Sequence, residues 1–319
     1  MPQPTVSDVH VDAALSDISI AFLQDETKYV AGRVFPSVPV DHRTDKYHVW
    51  ERNDFLRDEA ELRPPATESA GGGITLTQDS YSCEVFAFHK DIDAQVRANA
   101  DPAVDLERTA TLYVTQVMLT RRERQFADDY FKLGVWTTDV VGGTDFTKWT
   151  DATSDPEKDV ADGVKSILKL TGFKPNVLLV GFDVHQALKR HPLIKDRYKH
   201  TSAESITADM IARFLEIDRY MISEAIFATN VEGAATKTYD FHLGSDAMLV
   251  FANPTPGLMM PSAGYNFVWR GLTGMNDLGV AIANIPVPLK KADRIEGEFA
   301  FDMKVVSKEL GYFFSEAVA

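Results

Sequence analysis

The side chains that could bind a metal or exchange protons are spread along this chain of 319 residues. His185, His191 and His200 are near each other, but His185 and His191 are not three or four residues apart, the spacing that puts two ligands on one helix face. The paired carboxylates are Asp91/Asp93 and Asp128/Asp129, and Asp128 and Asp129 are adjacent on a predicted helix, so they point in different directions. We therefore expect solvated carboxylates, no catalytic residues and no metal site.

Motifs of the common enzyme classes are missing from the sequence. It contains no phosphate-binding G-x-x-x-x-G-K-[ST] loop, no H-E-x-x-H and no G-x-S-x-G. The segment VLLVGFDVHQAL has the outline of a nucleotide-binding turn, but Gly181 is its one glycine where the fingerprint needs three. These observations predict no bound cofactor and favour a structural role over an enzymatic one. A soluble α/β enzyme with an unrecognised site stays open as an alternative.

Two further features could carry chemistry. Arg121, Arg122 and Arg124 form a basic cluster in an acidic chain, either on a solvated face or in intramolecular ion pairs, or in contact with another subunit or an enclosed nucleic acid. Cys83 is the only cysteine, which excludes an intramolecular disulfide and a zinc site built from the cysteines of one chain. We expect its side chain to be packed in an alternating strand.

The three arginines lie on a long predicted helix over residues 101–133. Asp101 can cap it, Pro102 suits its first turn, and Gly134 is a stop signal. Such a helix would be about 45–50 Å long, so it must lie across an extended surface or across neighbouring molecules. The apolar residues that predict its buried face are Leu106, Ala110, Leu112, Tyr113, Val117, Leu119, Phe126, Tyr130 and Leu133.

The segments before this helix do not read as a compact domain. Residues 1–44 have no sustained period, and Pro36 and Pro39 favour extended backbone, which predicts an arm laid over a surface. Residues 45–90 predict a long β-hairpin with strands at 46–51, 74–77 and 81–89. Its loop, 56–73, predicts a projecting mobile segment that becomes ordered against a partner, or a simple flexible loop.

The rest of the chain alternates helices and strands. A helix from Asp155 to about Leu170 should bury Val160, Val164, Ile167 and Leu168 and stop at Gly172. Helices are also predicted at 183–190 and at 208–215, the latter capped by Thr207. The predicted strands are 177–180, 219–227, 247–251, 267–270, 296–305 and 311–314.

Composition limits the possible functions. The formal net charge is −14 and the pI is about 5.0, so the chain is a poor free nucleic-acid binder but suits the wall of a container that should not adhere to DNA. The first residues lack the basic and apolar regions of a signal peptide, and no apolar run approaches the roughly 18 residues that span a bilayer. We expect a soluble protein made in the cytosol, with no membrane partner.

Four phrases, in chain order, resemble the major capsid proteins of tailed bacteriophages. They are YVAGRVFPSVPV (29–40), KPNVLLVGFDVHQALKRHPLIKDRYKH (174–200), ITADMIARFLEIDRYMISEAIFAT (206–229) and ANPTPGLMMPSAGYNFVW (252–269). The resemblance implies a Hong Kong 97-type α+β fold. Residues 1–44 would form an N-arm, 45–90 an extended loop, 91–165 with 280–319 a peripheral domain carrying the spine helix 101–133, and 166–279 an axial domain.

The resemblance also implies a function. Members of this family assemble as hexamers and pentamers into an icosahedral shell around double-stranded DNA, in the host bacterial cytoplasm, and become the virion capsid. Scaffolding, portal and decoration proteins are the implied partners. A cellular nanocompartment shell, which shares the fold but holds enzyme cargo, remains an alternative. The expected contacts between subunits involve Phe35, Arg57, Glu59, Glu61, Arg63, Arg121, Arg122 and Arg124.

Two departures from the family pattern narrow these expectations. Some members crosslink through a lysine in the extended loop, but residues 51–77 contain none and Lys46 lies at the base of the hairpin. Some members carry a long N-terminal scaffolding segment, for which this arm is too short. We therefore expect a shell without covalent crosslinks and a scaffold that is a separate protein.

Overall fold

The computed structural model describes residues 24–100, 105–198, 206–257, 259–271 and 280–319. Its helices are α1 (Arg52–Leu56), α2 (Ala94–Asn99), α3 (Leu106–Tyr130), α4 (Pro156–Thr171), α5 (Phe182–Arg190), α6 (Pro192–Tyr198) and α7 (Ala208–Phe214). Its strands are β1 (Ser37–Val40), β2 (Thr44–Trp50), β3 (Leu76–Ser82), β4 (Glu84–Asp93), β5 (Thr138–Val141), β6 (Val177–Gly181), β7 (Arg219–Ser223), β8 (Ile226–Ala228), β9 (Tyr239–Phe241), β10 (Ala247–Val250), β11 (Gly264–Trp269), β12 (Val280–Val287), β13 (Ala292–Val305) and β14 (Gly311–Ser315). In these ranges, none of the helices is both long and apolar enough to cross a membrane.

The long helix α3 is shorter than its sequence predicts. The side chain of Asp105 caps it by accepting a hydrogen bond of 2.9 Å from the amide of Arg108, and Glu107 adds negative charge to the first turn. The helix ends at Tyr130 because Phe131 leaves the helical region of the backbone, three residues before Gly134. Its 25 residues give a length of about 37 Å. The predicted cap Asp101 and first-turn Pro102 lie outside the described residues.

The buried face of α3 consists of Ala110, Val114, Met118, Glu123, Phe126 and Tyr130. Of the five intervals between successive members, three are four positions long and one is three, which keeps those neighbours on one side of the helix. The prediction is wrong for Leu112, Tyr113 and Leu133, whose side chains are exposed. Leu112 lies two residues after Ala110 and therefore points to the other side of the helix, and Leu133 lies beyond its end. The ring of Tyr113 contacts that of Phe88 on β4, with 5.6 Å between the ring centroids, and the rest of its ring is exposed.

The first sheet supports α3. In it β13 pairs antiparallel with β4, β12 and β11, and β1 pairs parallel with β11. Gly297 on β13 lets the helix approach closely, because a Cβ at that position would lie 2.7 Å from Cγ1 of Val114. The helix therefore lies directly on the strands, and their shared apolar surface forms part of the main core.

The second sheet has the order β5-β14-β10-β6-β7. Its central strands are fully buried, and α4 covers it through Val160 and Ile167. As predicted, Asp155 caps α4 and Gly172 ends it, with a φ of 79° that suits glycine. The prediction that Leu168 joins the buried face is wrong, since that side chain is exposed.

Strand pairing divides the chain differently from the boundaries that the sequence suggests. Strand β14, expected in the peripheral part, pairs with β10 and β5 of the second sheet, and Gly163 of α4 lies against Leu249 of β10 and Phe314 of β14. Strand β11, expected in the axial part, pairs with β13 of the first sheet. The predicted strand 219–227 is two strands, β7 and β8, which join different sheets. Local sequence patterns identify strands but do not identify their partners.

Candidate functional site

The most exposed part of the described chain is a hairpin that projects from the first sheet. Strands β2 and β3 pair antiparallel from Thr44↔Ser82 to Trp50↔Leu76. Beyond Trp50 the short helix α1 leads into a loop, and all of residues 57–80 are exposed. The neck of this loop is fixed, because the amide of Thr75 donates to Oδ2 of Asp54 at 2.6 Å. The loop thus starts from a defined point and extends away from the subunit.

The loop carries four of the predicted contact residues, namely Arg57, Glu59, Glu61 and Arg63. Arg57 has two weak partners, Glu59 at 3.4 Å and Asp54 at 3.7 Å, and the Arg63 guanidinium donates to the carbonyl of Thr67. All four side chains face solvent, where such ion pairs contribute little. They are therefore available to another molecule.

Apolar residues are also exposed along this hairpin. Leu62 at the tip is 96% exposed, and the exposed apolar side chains near the neck are Phe55, Leu56, Ile74 and Leu76. Among the described residues, none buries these side chains. Exposed apolar residues grouped on one projecting element are typical of a surface that binds another protein.

The base of the hairpin is packed against the first sheet. The rings of Tyr47 and Tyr81 both stack on Phe267 of β11, with centroids 5.6 and 4.6 Å away. Cys83 separates β3 from β4, is buried as predicted, and has its thiol pKa raised to about 12 by burial. The amide of Ser82 donates to Oδ2 of Asp302 on β13 at 2.9 Å. The returning limb of the hairpin is thus two strands with a fixed break between them.

The described part of the arm lies along α3 in its own subunit. The side chain of Glu123, on the buried face of α3, accepts hydrogen bonds from the backbone amides of Val30 and Ala31. Asn266 on β11 donates from its side-chain amide to the carbonyl oxygens of Ala31 and Phe35. The sequence alone does not single out Glu123, because a charged residue between arginines is typical of a solvated helix face. Glu123 lies three residues before Phe126 and seven before Tyr130, and this helical spacing could have indicated that its side chain is buried with them.

Phe35, predicted to contact another subunit, is packed inside its own. Its side chain is 1% exposed, and its ring centroid lies 4.7 Å from that of Tyr130 and 6.3 Å from that of Phe126. Trp136 closes the pocket at 6.4 Å. This packing leaves no ring surface for a neighbour, which differs from the expectation from the sequence.

The three arginines of α3 do not form one cluster. The guanidinium of Arg121 lies 4.8 Å from the ring centroid of Phe86, that of Arg122 lies 6.0 Å from Phe301, and that of Arg124 lies 5.4 Å from Phe227. Because α3 turns by about 100° per residue, neighbouring positions reach different surfaces of the subunit. The contacts of the three arginines lie within the subunit, but their partners are aromatic rings and not the carboxylates of ion pairs.

The histidines and paired carboxylates also have structural partners. Nδ1 of His185 lies 3.1 Å from the hydroxyl of Tyr220, and Nε2 of His191 lies 3.0 Å from Oγ of Ser154. His200 lies outside the described residues. Among those that are described, no group of three His, Cys, Asp or Glu side chains could hold a metal ion.

Two of the carboxylates predicted to be solvated are bound within the fold. Asp91 accepts hydrogen bonds of 2.8 Å from Arg294 and 2.9 Å from Lys290, and the bond from Arg294 holds its pKa well below the usual range. Asp129 accepts from the side-chain amide of Gln125, and burial raises its pKa. Asp128 is exposed, as predicted.

Comparisons with known proteins connect this arrangement to a class. No protein-family profile matches the chain. Two curated relatives are major capsid proteins: that of Burkholderia phage BcepMu is 25% identical, with 68% of this chain and 70% of the relative covered. That of Pseudomonas phage JBD67 is 24% identical, with 97% of each chain covered.

Solved structures of phage proteins and of an encapsulin align with this chain over most of its length and therefore share its fold. A phage-related protein from Bordetella bronchiseptica RB50 aligns with a TM-score of 0.70 at 22% identity, covering 92% of this chain and 94% of that one. The capsid of cyanophage P-SCSP1u aligns at 0.62 with 8% identity, covering 97% and 93%. The SrpI encapsulin of Synechococcus elongatus aligns at 0.54 with 11% identity, covering 96% and 95%.

The chain thus has the α+β fold of the Hong Kong 97-type shell proteins, as predicted. The two curated relatives, together with this fold, support a capsid shell protein of the phage major capsid type.

Proposed function

We propose that this protein assembles as hexamers and pentamers into an icosahedral shell that encloses double-stranded DNA. The observation that carries the proposal is the projecting hairpin, whose tip and neck present apolar side chains that the described part of the chain leaves exposed. Burial of such surface on neighbouring subunits would supply the association energy that an isolated chain cannot obtain.

The charge of the hairpin loop also supports contacts between copies. Arg57 and Arg63 flank Glu59 and Glu61 on an exposed segment. Interspersed charges of both signs favour a defined register between partners more than they add affinity. The loop is therefore suited to select how subunits meet, while the apolar residues near its neck hold them together.

The acidic balance of the chain supports a container for DNA without sequence-specific binding. A net charge of −14 disfavours adhesion to phosphates, which a shell that must be filled needs to avoid. Arg121, Arg122 and Arg124 are engaged with aromatic rings of their own subunit, which leaves them less suited to bind an enclosed nucleic acid.

The remaining partners follow from the same proposal. Residues 51–77 contain no lysine, so the shell would be held without covalent crosslinks through the loop. Scaffolding, portal and decoration proteins would be separate chains, and the shell would form in the cytoplasm of the host bacterium before becoming the virion capsid. A cellular nanocompartment shell is the second candidate, favoured by the alignment with an encapsulin.

The test is electron microscopy of the purified protein, with and without proteins encoded by neighbouring genes. Closed shells, or isolated hexamers and pentamers, are expected. Nuclease-protected DNA in shells from infected cells would select the virus over the nanocompartment, whereas an enzyme cargo would select the nanocompartment. A homogeneous monomer or dimer in every condition would contradict both shell proposals.

A further inference from the structure

The arm is attached to α3 by a series of polar contacts that begins at Gln24. The side-chain amide of Gln24 exchanges two hydrogen bonds with the backbone of Ile226 on β8, at 2.6 and 2.8 Å. Its backbone amide donates to the side chain of Gln116 on α3 at 3.2 Å. The hydroxyl of Tyr29 is then held by Gln116 and Thr120. These contacts fix the direction in which the arm enters the subunit.

Glu123 is the central contact of this series. Oε2 accepts hydrogen bonds from the amides of Val30 at 3.0 Å and Ala31 at 2.9 Å, and Oε1 lies 3.4 Å from the hydroxyl of Ser223 on β7. The side chain is 0% exposed. A buried carboxyl group needs such partners, and the two amides, which face the interior, need an acceptor. Glu123 and the arm therefore satisfy each other.

Arg122 and Gly32 add a second element to this attachment. A Cβ on Gly32 would lie 3.1 Å from Nη1 of Arg122 and 3.2 Å from its Cζ, so the guanidinium lies against the bare backbone of Gly32. The two adjacent helix residues 122 and 123 thus contact three successive arm residues, 30 to 32. Phe35 then enters its aromatic pocket one turn further along α3.

We propose that Glu123 is the positioning residue that fixes the arm on the spine helix within a single subunit, before any contact with another subunit. The site is complete in one chain, because helix, arm, β7 and β11 all supply its contacts. The consequence for assembly rests on the proposed function: only an arm that leaves the subunit from a fixed point can reach the same place on each neighbour.

The test measures the arm directly, by hydrogen–deuterium exchange at Val30 and Ala31 in the full-length subunit under conditions that prevent assembly. Glu123→Ala should lower the protection of both amides about 10- to 100-fold, the range expected when buried donors lose their acceptor. Amides in the second sheet, such as those of β6 and β10, should keep their protection. Asp128→Asn, an exposed acidic position on the same helix, is the matched control and should change neither.

A conservative variant separates positioning from simple packing. Glu123→Gln can place its side-chain oxygen where Oε2 accepts both arm amides, and its NH2 group can face the hydroxyl of Ser223, so it loses only the longer bond of 3.2 Å from the Val30 amide to Oε1. It should therefore restore protection to within a few-fold of the wild type. An alanine variant with unchanged protection at Val30 and Ala31 would overturn the proposal. So would a glutamine variant as deprotected as alanine while the second sheet stays protected.

Assembly is then measured separately by electron microscopy. If Glu123→Ala loses arm protection and forms aberrant or no shells while Glu123→Gln forms normal ones, both the positioning role and its consequence hold. If the wild type itself never assembles, the shell proposal fails, but the exchange data still decide whether Glu123 holds the arm. If Glu123→Ala unfolds, the protection of the Val30 and Ala31 amides is measured in Glu123→Gln and in Ser223→Ala instead. The serine variant removes only the longest contact of Glu123, the one to the Ser223 hydroxyl.

Discussion

The ring of Tyr81 at the end of β3 lies 4.6 Å from the ring of Phe267 on β11, with their planes only 13° apart. This stack joins the projecting hairpin to the first sheet at the point where Cys83 interrupts the returning strand. Asp302 holds the next residue, Ser82, by its amide. The angle at which the hairpin leaves the subunit is therefore fixed by packing as well as by backbone pairing.

Tyr81→Ala should loosen the base of the hairpin and destabilise the subunit by about 3 kcal/mol, the usual cost of removing a buried aromatic ring. The only thiol of the chain reports on this change. Cys83 is buried with a pKa of about 12, so it should react slowly with a thiol reagent in the wild type and faster in the variant. Tyr239→Ala, at an exposed ring, is the control and should leave the reaction rate unchanged. Equal rates for both variants would contradict a packed base.

Deleting residues 58–72 should abolish or weaken shell assembly without unfolding the subunit. These residues are exposed, and the neck contact between Asp54 and Thr75 stays outside the deletion. The melting temperature of the unassembled subunit should therefore change little, while electron microscopy should show loss of shells. In the unassembled wild type, protease should cut this loop first, and assembly should protect it. Normal shells from the deletion variant would show that the loop makes no essential contact.

Gly297→Ala should destabilise the subunit by about 1–3 kcal/mol. The new methyl group would lie 2.7 Å from Cγ1 of Val114, so α3 would have to move away from β13. The measurement is the free energy of unfolding from chemical denaturation. Gly73→Ala, where no atom lies within 4 Å of the added Cβ, should change it by less than about 0.5 kcal/mol. Equal effects at the two positions would contradict the close contact between helix and sheet.

Asp91 should make the stability of the folded subunit depend on pH in the acidic range. The hydrogen bond from Arg294 lowers the pKa of Asp91 in the folded state, so its contribution is complete above the ordinary pKa of an aspartate and is lost as the pH falls through the lower folded value. The free energy of unfolding of the wild type should thus decrease below about pH 4. Asp91→Asn should be less stable at neutral pH and show less of this decrease, whereas Asp58→Asn, in the exposed loop, should behave like the wild type. A decrease of the same size in Asp91→Asn would contradict this role.

Glu123 should have the opposite dependence on pH. Burial raises its pKa in the folded state, so its contribution to attachment of the arm is complete below the ordinary pKa of a glutamate and decreases as the pH rises through the higher folded value. Four groups surround the carboxyl group of Glu123. Arg122, its neighbour on α3, interacts with its charge, and Glu26 on the arm interacts in turn with the charge of Arg122. Tyr29 on the arm is also close, and the hydroxyl of Ser223 on β7 is a hydrogen-bond partner. Exchange at Val30 and Ala31, corrected for intrinsic rates, should show protection that falls with rising pH in the wild type. In Glu123→Gln the protection should not vary with pH, and a parallel trend in both proteins would exclude Glu123 as the titrating group.

Local signals in the sequence predict many of these elements correctly. Asp155 and Gly172 delimit α4, Thr207 caps α7, and the apolar run 177–180 is a buried strand, because caps, stops and short apolar runs depend on neighbouring residues. The resemblance of four ordered phrases predicts the fold class. The predictions that are wrong concern side chains whose partners are distant in the sequence. Glu123 is buried because the arm, about 90 positions earlier in the chain, supplies its partners.

The same reason explains the other differences. Phe35 reads as an intersubunit contact because its pocket comes from Phe126, Tyr130 and Trp136, which no local pattern links to it. The arginines read as a cluster because they are close in sequence, although the helix directs them to three different rings. The exposed loop tip was predictable, since its composition alone excludes a buried position.

The position of β14 has a consequence for how the chain is made. Tyr312 pairs with Thr138 on one side and with Leu249 on the other, so β5 has no strand to join until β14 has left the ribosome. During translation β5 must wait for its partner until more than half of the chain has followed it, with its apolar side chains unpaired. The second sheet therefore closes late, and the yield of soluble subunit should depend on chaperones and on the temperature of expression.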